Sequence, residues 1–231
     1  MFICFSLLLE GCGHNTEQSD ISQTTAASAQ TVQESTSETT SNHLSDEMFT
    51  DRDKEVGYDE DNCVIIQLQN DTALCNTDNV QIDGQIITIS AEGTYLITGS
   101  LSNGMIRIEA ADTDKIHLVL DNVSIANSTS AAIYIKEADK VFITLAPDSE
   151  NVLTNDGNYT TIDDNNIDAV IFSKSDLTLN GDGGLTVNAK AGHGIVSKDD
   201  LVITGGNYNI SSASHGLSGK DSIRRQWQLY Y

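Results

Sequence analysis

A repeat of 22 to 24 residues in the second half of the sequence constrains the fold more than any other feature. Its units are AVIFSKSDLTLNGDGGLTV at Ala169–Val187, HGIVSKDDLVITGGNYNI at residues 193–210, and HGLSGKDSI at residues 215–223. The Ser-Lys pair at Ser173 returns 24 residues later at Ser197, and the His-Gly pair at His193 returns 22 residues later at His215. Such a period is typical of a solenoid, in which each unit buries its apolar face against the next unit.

Short alternating apolar runs fill the chain from about Val64, among them QIITIS, TYLITGS, KVFITLA and LTVNA. Alternation with period two indicates strands with one buried face, and one proline with seventeen glycines indicates many turns. The pattern predicts an all-β domain, and the repeat favours a parallel β-helix. A β-sandwich is the alternative, because its turns also recur at short intervals.

The first twelve residues, MFICFSLLLEGC, are too short an apolar run to cross a bilayer and resemble the hydrophobic part of a signal peptide. Leu9-Glu10-Gly11-Cys12 resembles a bacterial lipobox, so we expect cleavage before Cys12 and lipidation of its thiol. A basic segment is missing and Glu10 is unusual at its position, and an incidental cysteine in an ordinary N-terminus is the alternative. The prediction is a lipid-anchored protein on the bacterial cell surface.

Residues 13–61 are predicted to form a disordered tether, because SQTTAASAQTVQESTSETTS cannot form a core. The predicted folded domain is residues 62–231. Outside the cell, Cys63 and Cys75 would meet oxidising conditions, where a disulfide and two free thiols are both open.

The net charge of the chain is -22, from 34 acidic and 12 basic residues. This charge disfavours nucleic acid and anionic membrane surfaces as direct partners, and it suits cation binding. The expected membrane contact is therefore through the lipid alone. No G-x-S-x-G motif, P-loop or paired-cysteine zinc motif occurs, so hydrolase and nucleotide chemistry have no support.

Several phrases resemble one known family in order and spacing: GTYLITGSLSNGMIRIEA, KIHLVLDNVSIANSTSAAIYIKEADKVFITLA, and the first two repeat units above. They are similar to the bacterial cell-surface carbohydrate-binding β-helix family, over roughly Val80 to Ile223. The resemblance implies a right-handed parallel β-helix akin to pectate lyases, which binds calcium and plant cell-wall polysaccharide such as polygalacturonate or cellulose. It implies an adhesion or binding module rather than an enzyme.

Aspartates at two places are the predicted calcium ligands, because Ca²⁺ takes six to eight hard oxygen ligands. The first place is the polar loop NDGNYTTIDDNNID at residues 155–168, and the second is the repeated corner of the units. The predicted ligands are Asp163, Asp164, Asp168, Asp199, Asp200 and Asp221. The alternatives are a solvated acidic loop, and a ladder in which Lys174, Lys198 and Lys220 neutralise the corner aspartates without metal.

A pectate-lyase-like enzyme is the alternative function, since Lys174 or Lys198 beside aspartates could abstract the uronate C5 proton. A lysine repeated in every unit indicates architecture rather than one active site, and no catalytic residue is predicted. A structural adhesin that binds a protein receptor is the third possibility. The tyrosines Tyr95, Tyr134, Tyr159 and Tyr208 are candidate sugar-stacking residues, although alternation would bury most of them.

The C-terminus predicts a truncated last unit, because RQWQLYY follows GKDSIR where the repeat requires another strand. If suitable codons are assumed for this segment, reading them one base later gives Gly-Asn-Gly-Asn-Tyr-Thr, which resembles the missing strand. An uncapped end would expose unpaired strand edges.

Overall fold

The computed structural model describes residues 48–226. These residues contain one four-residue α-helix, α1 (Asp51–Lys54), one 3₁₀ helix (Glu60–Asn62) and eighteen short strands. The strands are β1 (Val64–Asn70), β2 (Ala73–Leu74), β3 (Val80–Asp83), β4 (Ile86–Ile89), β5 (Gly93–Leu101), β6 (Met105–Glu109), β7 (Lys115–Asn127), β8 (Ile133–Glu137), β9 (Lys140–Leu145), β10 (Glu150–Asn155), β11 (Ala169–Ser173), β12 (Asp176–Gly181), β13 (Gly184–Ala189), β14 (His193–Ser197), β15 (Asp200–Ile203), β16 (Asn207–Ser212), β17 (Leu217–Gly219) and β18 (Ser222–Arg225). The prediction of an all-β domain is confirmed.

The strands form two sheets. One has eleven strands, with the main order β16-β13-β10-β7-β9-β12-β15-β18, and β1, β2 and β5 beside it. The other has seven strands in the order β17-β14-β11-β8-β6-β4-β3. The repeat positions are strand partners, since Ser173 pairs with Ser197 and Ser197 pairs with Gly219.

The prediction of a right-handed parallel β-helix, a regular solenoid, is wrong, because both sheets are mixed. Strands β1 and β2 pair antiparallel, as do β3 and β4, whereas the repeat units pair in parallel. Strand β7 is also irregular. A regular solenoid has short strands of similar length, whereas β7 has 13 residues and pairs with β5, β9 and β10. The repeat of 22 to 24 residues occurs only from Ala169 onward. It therefore gave no information about the irregular strand pairing in the first half of the chain.

Rows of aliphatic side chains from neighbouring strands form the main core. In one row Leu101, Ile125, Leu153 and Val187 are adjacent strand partners and are almost completely buried. The strands approach closely at Gly181, where φ is +102° and a β-carbon would lie 2.2 Å from the Leu145 carbonyl oxygen. Only glycine meets both requirements.

A second, smaller core lies on the outer side of the seven-stranded sheet. Tyr134, Phe172 and Val196 form an outward-facing row there, yet each is at most 3% exposed. Ile167 and Tyr159, from the loop after β10, pack against this row. The long polar loop therefore has a structural role, because it covers an apolar sheet face.

Residues 48–55, which we name the N-terminal strap, pack on the outer face of β9 and β12 and on Thr204, which directly follows β15. Asp53 is 1% exposed and Phe49 is 6% exposed, so this part of the predicted tether belongs to the folded unit. The strap lies at one end of a row of buried polar side chains. His117 Nε2 is 2.7 Å from Thr144 Oγ1, Thr144 donates to Asn180, and Asn180 donates to the strap. Burial and the charge of Arg52 lower the pKa of His117 to about 4.

Several sequence predictions lie outside the described residues. They are the signal peptide at residues 1–12 with Cys12, the tether up to residue 47, and the end of the chain after Gln226. Within residues 48–226, no helix combines the length and the apolar character that a membrane crossing requires.

Candidate functional site

An array of mostly small polar side chains, with Val152 and Ala126 as apolar members, lies on the outer side of β5, β7, β10, β13 and β16. These strands are parallel and adjacent, so equivalent residues form straight rows across them, about 4.8 Å apart. We name this surface the polar face. Its first row is Ser100, Ser124, Val152, Thr186 and Asn209, and its second row is Ala126, Thr154, Asn188 and Ser211.

A cleft of about 310 Å³ lies at one end of the polar face, lined by residues that include Glu150, Gly184, Thr186 and Asn207. The Glu150 carboxylate lies over Gly184, since a β-carbon at Gly184 would be 2.7 Å from one of its oxygens. The polar face thus offers hydroxyl and amide groups, which donate and accept hydrogen bonds, beside one carboxylate. Sequence analysis did not select these residues, although the alternating polar positions of GLTVNA and NYNISS are visible in the chain.

Three aspartates lie at the repeated corner where β12, β15 and β18 begin: Asp176 is the first residue of β12, and Asp199 and Asp221 directly precede β15 and β18. We name Asp176, Asp199 and Asp221 the acidic corner. Burial, the charge of Asp176, the hydrogen bond and charge of Asp221, and the charge of Asp200 together raise the pKa of Asp199. Neighbouring carboxylates disfavour each other's ionised form, so a cation at this corner would be favourable at neutral pH.

The corner lysines do not neutralise these carboxylates. No ion pair joins Lys174, Lys198 or Lys220 to an aspartate within the described part of the chain. The Lys198 ammonium instead lies 5.1 Å from the centre of the Phe172 ring, in a cation–π contact. The structure therefore does not contain the lysine ladder that was the alternative to metal.

Asp200 differs from its neighbours at the corner. It accepts a hydrogen bond from Ser222 Oγ at 2.6 Å and forms an ion pair with Arg224. Arg224 thus balances part of the Asp200 charge. Among the predicted corner ligands in residues 48–226, Asp199 and Asp221 form no ion pair.

The three predicted ligands in the loop do not converge. Asp163 accepts a 2.6 Å hydrogen bond from the Tyr134 hydroxyl and a 2.8 Å bond from the Asn165 backbone, whereas Asp164 is exposed. Burial opposes ionisation of Asp163, but these hydrogen bonds outweigh it and lower its pKa. Asp168 instead faces His193, with Oδ2 3.8 Å from Nε2.

Residues 48–226 contain no cluster of three or more His, Cys, Asp or Glu side chains with the geometry of a metal site. The acidic corner nevertheless has the donors that calcium prefers, namely carboxylate oxygens with no competing lysine. The donor set fits a hard cation whose other ligands come from water or from a bound molecule. The stacked rings of His193 and His215, 5.0 Å apart, do not form such a set.

The candidate stacking tyrosines offer no open ring. Tyr95 and Tyr134 are at most 1% exposed, and Tyr159 and Tyr208 are half-buried with hydroxyl groups that are buried and unpaired. Cys63 and Cys75 are free thiols, although both line one cleft of about 330 Å³ beside β1 and β2. The disulfide left open by the sequence is not formed.

Comparison with known proteins identifies the family. The family model described as carbohydrate-binding domain-containing protein matches residues 83–226, which is more than half of the chain. The chain belongs to this family. The matched region contains the polar face from β5 to β16 and the whole acidic corner, so both surfaces belong to a carbohydrate-binding domain.

Two relatives extend the comparison. A carbohydrate-binding domain-containing protein of Acetivibrio thermocellus is 41% identical over 139 residues, which cover 59% of this chain and 49% of that protein. The chain thus spans about half the length of this curated relative. A solved structure, described as "Structure of the polysaccharide lyase-like protein from C. thermocellum, Gadolinium derivative", has 38% identity and a TM-score of 0.68. The match covers 70% of this chain and 66% of that one.

Proposed function

We propose that this carbohydrate-binding protein is a calcium-dependent adhesion module for acidic plant cell-wall polysaccharide such as polygalacturonate. The observation that carries the proposal is the acidic corner, where Asp199 and Asp221 share one site without a lysine partner. A protein of charge -22 repels a polyanion unless a cation lies between them. Calcium held by corner carboxylates would leave coordination positions for the carboxylates of the polysaccharide.

The polar face is the proposed contact surface for the sugar hydroxyl groups. Side chains such as Ser124, Thr186 and Asn209 are short and stand on adjacent strands, so they lose little side-chain entropy on binding. The strand spacing of about 4.8 Å is similar to the length of one sugar ring, so successive rings can meet successive strands. Cellulose is the neutral polysaccharide that we propose for this face.

Two further observations are consistent with the calcium proposal. The structural neighbour was obtained as a gadolinium derivative, and gadolinium, like calcium, is a hard cation that prefers oxygen ligands. The N-terminal sequence through Cys12 fits a lipid anchor at the bacterial cell surface, where calcium and polysaccharide are both accessible.

A polysaccharide lyase is the second candidate function, because the structural neighbour is described as polysaccharide lyase-like. Against it, Lys198 contacts the Phe172 ring and forms no ion pair with the corner aspartates. Neither residue suggested for proton abstraction, Lys174 or Lys198, forms an ion pair with an aspartate in residues 48–226. Calcium-dependent binding without chain cleavage is the expected behaviour.

The test is binding of the full chain to an array of polysaccharides in calcium and in excess chelator. We expect retention on polygalacturonate in calcium and release in chelator. Retention that is equal in both conditions would contradict the calcium proposal. Absorbance of unsaturated uronate in the ultraviolet, measured during the same incubation, would instead support the lyase.

A further inference from the structure

The N-terminal strap covers a sheet face that is built to bind a carboxylate. Lys140 Nζ lies 2.8 Å from Asp53 Oδ1, and the Thr178 hydroxyl donates to the same oxygen at 2.7 Å. Both partners stand on adjacent strands, β9 and β12, and Asp53 is the acid that fills the site. Among the described residues, the remaining oxygen, Oδ2, accepts bonds only from Thr50, within the strap itself.

The same face also binds uncharged oxygen atoms of the strap. Asn180 Nδ2 donates to the carbonyl oxygens of Asp53 at 3.2 Å and Glu55 at 2.9 Å. Thr204 Oγ1 donates to the Asp53 carbonyl at 2.5 Å. In each of these bonds the sheet supplies the donor and the strap supplies the acceptor.

An aromatic ring completes this face. Phe142 lies in the row of Thr178 on the next strand, and the Arg52 guanidinium of the strap lies 4.9 Å from the centre of its ring. A planar group thus covers the ring. A sugar ring stacks on an aromatic face in a comparable way, with its C–H groups toward the ring.

We propose that the face formed by Lys140, Phe142, Thr178, Asn180 and Thr204 is a second carbohydrate site, for a sugar that bears a carboxylate, and that Asp53 occupies it as an intramolecular mimic. A uronate residue presents the same groups as the strap, namely one carboxylate with neighbouring hydroxyl or ring oxygens. The choice of uronate over other carboxylates rests on the proposed function. Lys140 supplies the positive charge, so this site needs no calcium.

The strap is a competitive lid for this site. Its docking lowers the apparent affinity for the sugar by the fraction of molecules in which the face is open. A polysaccharide held at high local concentration by the calcium site would displace the lid and add a second point of attachment. Attachment at two points strengthens binding without new chemistry.

The decisive variant is Asp53→Ala in the full chain, titrated with trigalacturonate in excess chelator. We expect it to bind about tenfold more tightly than the unmodified chain, because the competing carboxylate is gone. Lys140→Met in the Asp53→Ala background removes the gain. Lys190→Met in the same background is the matched control and keeps it, since Lys190 is an exposed lysine that pairs with Asp156 and does not contact the strap in the described residues. No gain, or a gain that survives Lys140→Met, overturns the proposal.

Hydrogen exchange of the unmodified chain gives a test that does not depend on the folding of a variant. Trigalacturonate in chelator is expected to speed amide exchange in residues 48–55, since the sugar displaces the strap. Unchanged or slower exchange there contradicts the proposal. Because both experiments exclude calcium, their failure leaves the calcium site intact, and failure of calcium-dependent retention leaves this site intact.

Discussion

Lys140 Nζ lies 2.8 Å from the Asp53 carboxylate, and Asp53 is only 1% exposed. Burial raises the pKa of Asp53, but hydrogen bonds from Lys140, Thr178 and Thr50 outweigh it and lower the pKa from 3.8 to about 2. The ionised carboxylate is therefore more favourable in the folded chain than in the unfolded chain. This pair joins the N-terminal strap to β9, and the Thr178 hydrogen bond joins the same carboxylate to β12 in the first repeat unit.

The first prediction concerns the pH dependence of stability. A carboxyl whose pKa is depressed on folding stabilises the fold above its unfolded pKa, and this contribution is lost as the pH falls toward the folded pKa. For Asp53 the contribution is about 2 kcal/mol near neutral pH, and it disappears between about pH 5 and pH 2. Thermal unfolding of the unmodified chain and of Asp53→Asn should differ most at pH 6 and converge near pH 2. A difference that is independent of pH would contradict the assignment.

The second prediction concerns calcium and the stability of the acidic corner. Calcium at about 100 times its Kd should stabilise the unmodified chain by about 2.7 kcal/mol for one site. Asp199→Asn removes part of the repulsion, because neighbouring carboxylates raise the pKa of Asp199. In chelator this variant should therefore melt at a higher temperature than the unmodified chain at pH 7. The advantage should shrink as the pH falls through the aspartate range, where protonation relieves the repulsion in both.

The control for this prediction is the calcium-induced shift in melting temperature. Asp199→Asn should lose that shift, whereas Asp112→Asn, at an exposed residue distant in sequence from the corner, should keep it. A melting temperature of the unmodified chain that excess chelator leaves unchanged would exclude a stabilising calcium ion.

The third prediction separates the loop from the metal. Tyr134 donates to Asp163 at 2.6 Å and accepts from Asn165 at 2.8 Å, which fixes the loop over the second core. Tyr134→Phe should cost about 1 kcal/mol of stability, because it removes these bonds but keeps the ring. Asp163→Ala should likewise destabilise the fold, while calcium affinity measured by calorimetry stays unchanged. Loss of calcium affinity in a folded Asp163→Ala protein would return the calcium site to the loop.

The sequence predicted the strands well because their signal is local. Alternating apolar residues such as Leu177 and Leu179 indicate the buried face of a strand without any information on distant contacts. The repeat also aligns Ser173 with Ser197, and the structure pairs the same two residues. The antiparallel pairs β1–β2 and β3–β4 lie outside the repeat and were not predicted. Both are hairpins between consecutive segments, and the Gly84-Gln85 turn between β3 and β4 is a local signal that the repeat analysis did not use.

The site was harder to predict than the strands. Aspartates near each other in sequence, such as Asp199 and Asp200, have different partners, because Arg224 on the next strand pairs with only one of them. The role of Asp53 could not be predicted from the sequence, because its partners Lys140 and Thr178 are far away in the chain. Burial of a charged residue depends on which surface the chain passes, and composition does not encode it.

The fourth prediction concerns the polar face. Thr186→Ala and Asn209→Ala should each weaken polysaccharide binding by about 1 kcal/mol, the usual net value of one hydrogen bond, which is about fivefold in affinity. Thr113→Ala is the matched control, because Thr113 is an exposed threonine in a turn and lies outside the polar face. Equal affinity of Thr186→Ala, Asn209→Ala and Thr113→Ala would contradict the role of this surface.

The most direct test of the central claim is retention on polygalacturonate of the unmodified chain, the Asp199→Asn/Asp221→Asn variant, and an Asp112→Asn control, each in calcium and in chelator. We predict that the unmodified chain and the control are retained only in calcium. The corner variant should be released in both conditions. Its melting temperature in chelator should be at least as high as that of the unmodified chain. Retention of the folded corner variant in calcium, at the level of the control, would contradict the claim that calcium at the acidic corner bridges this protein to acidic polysaccharide.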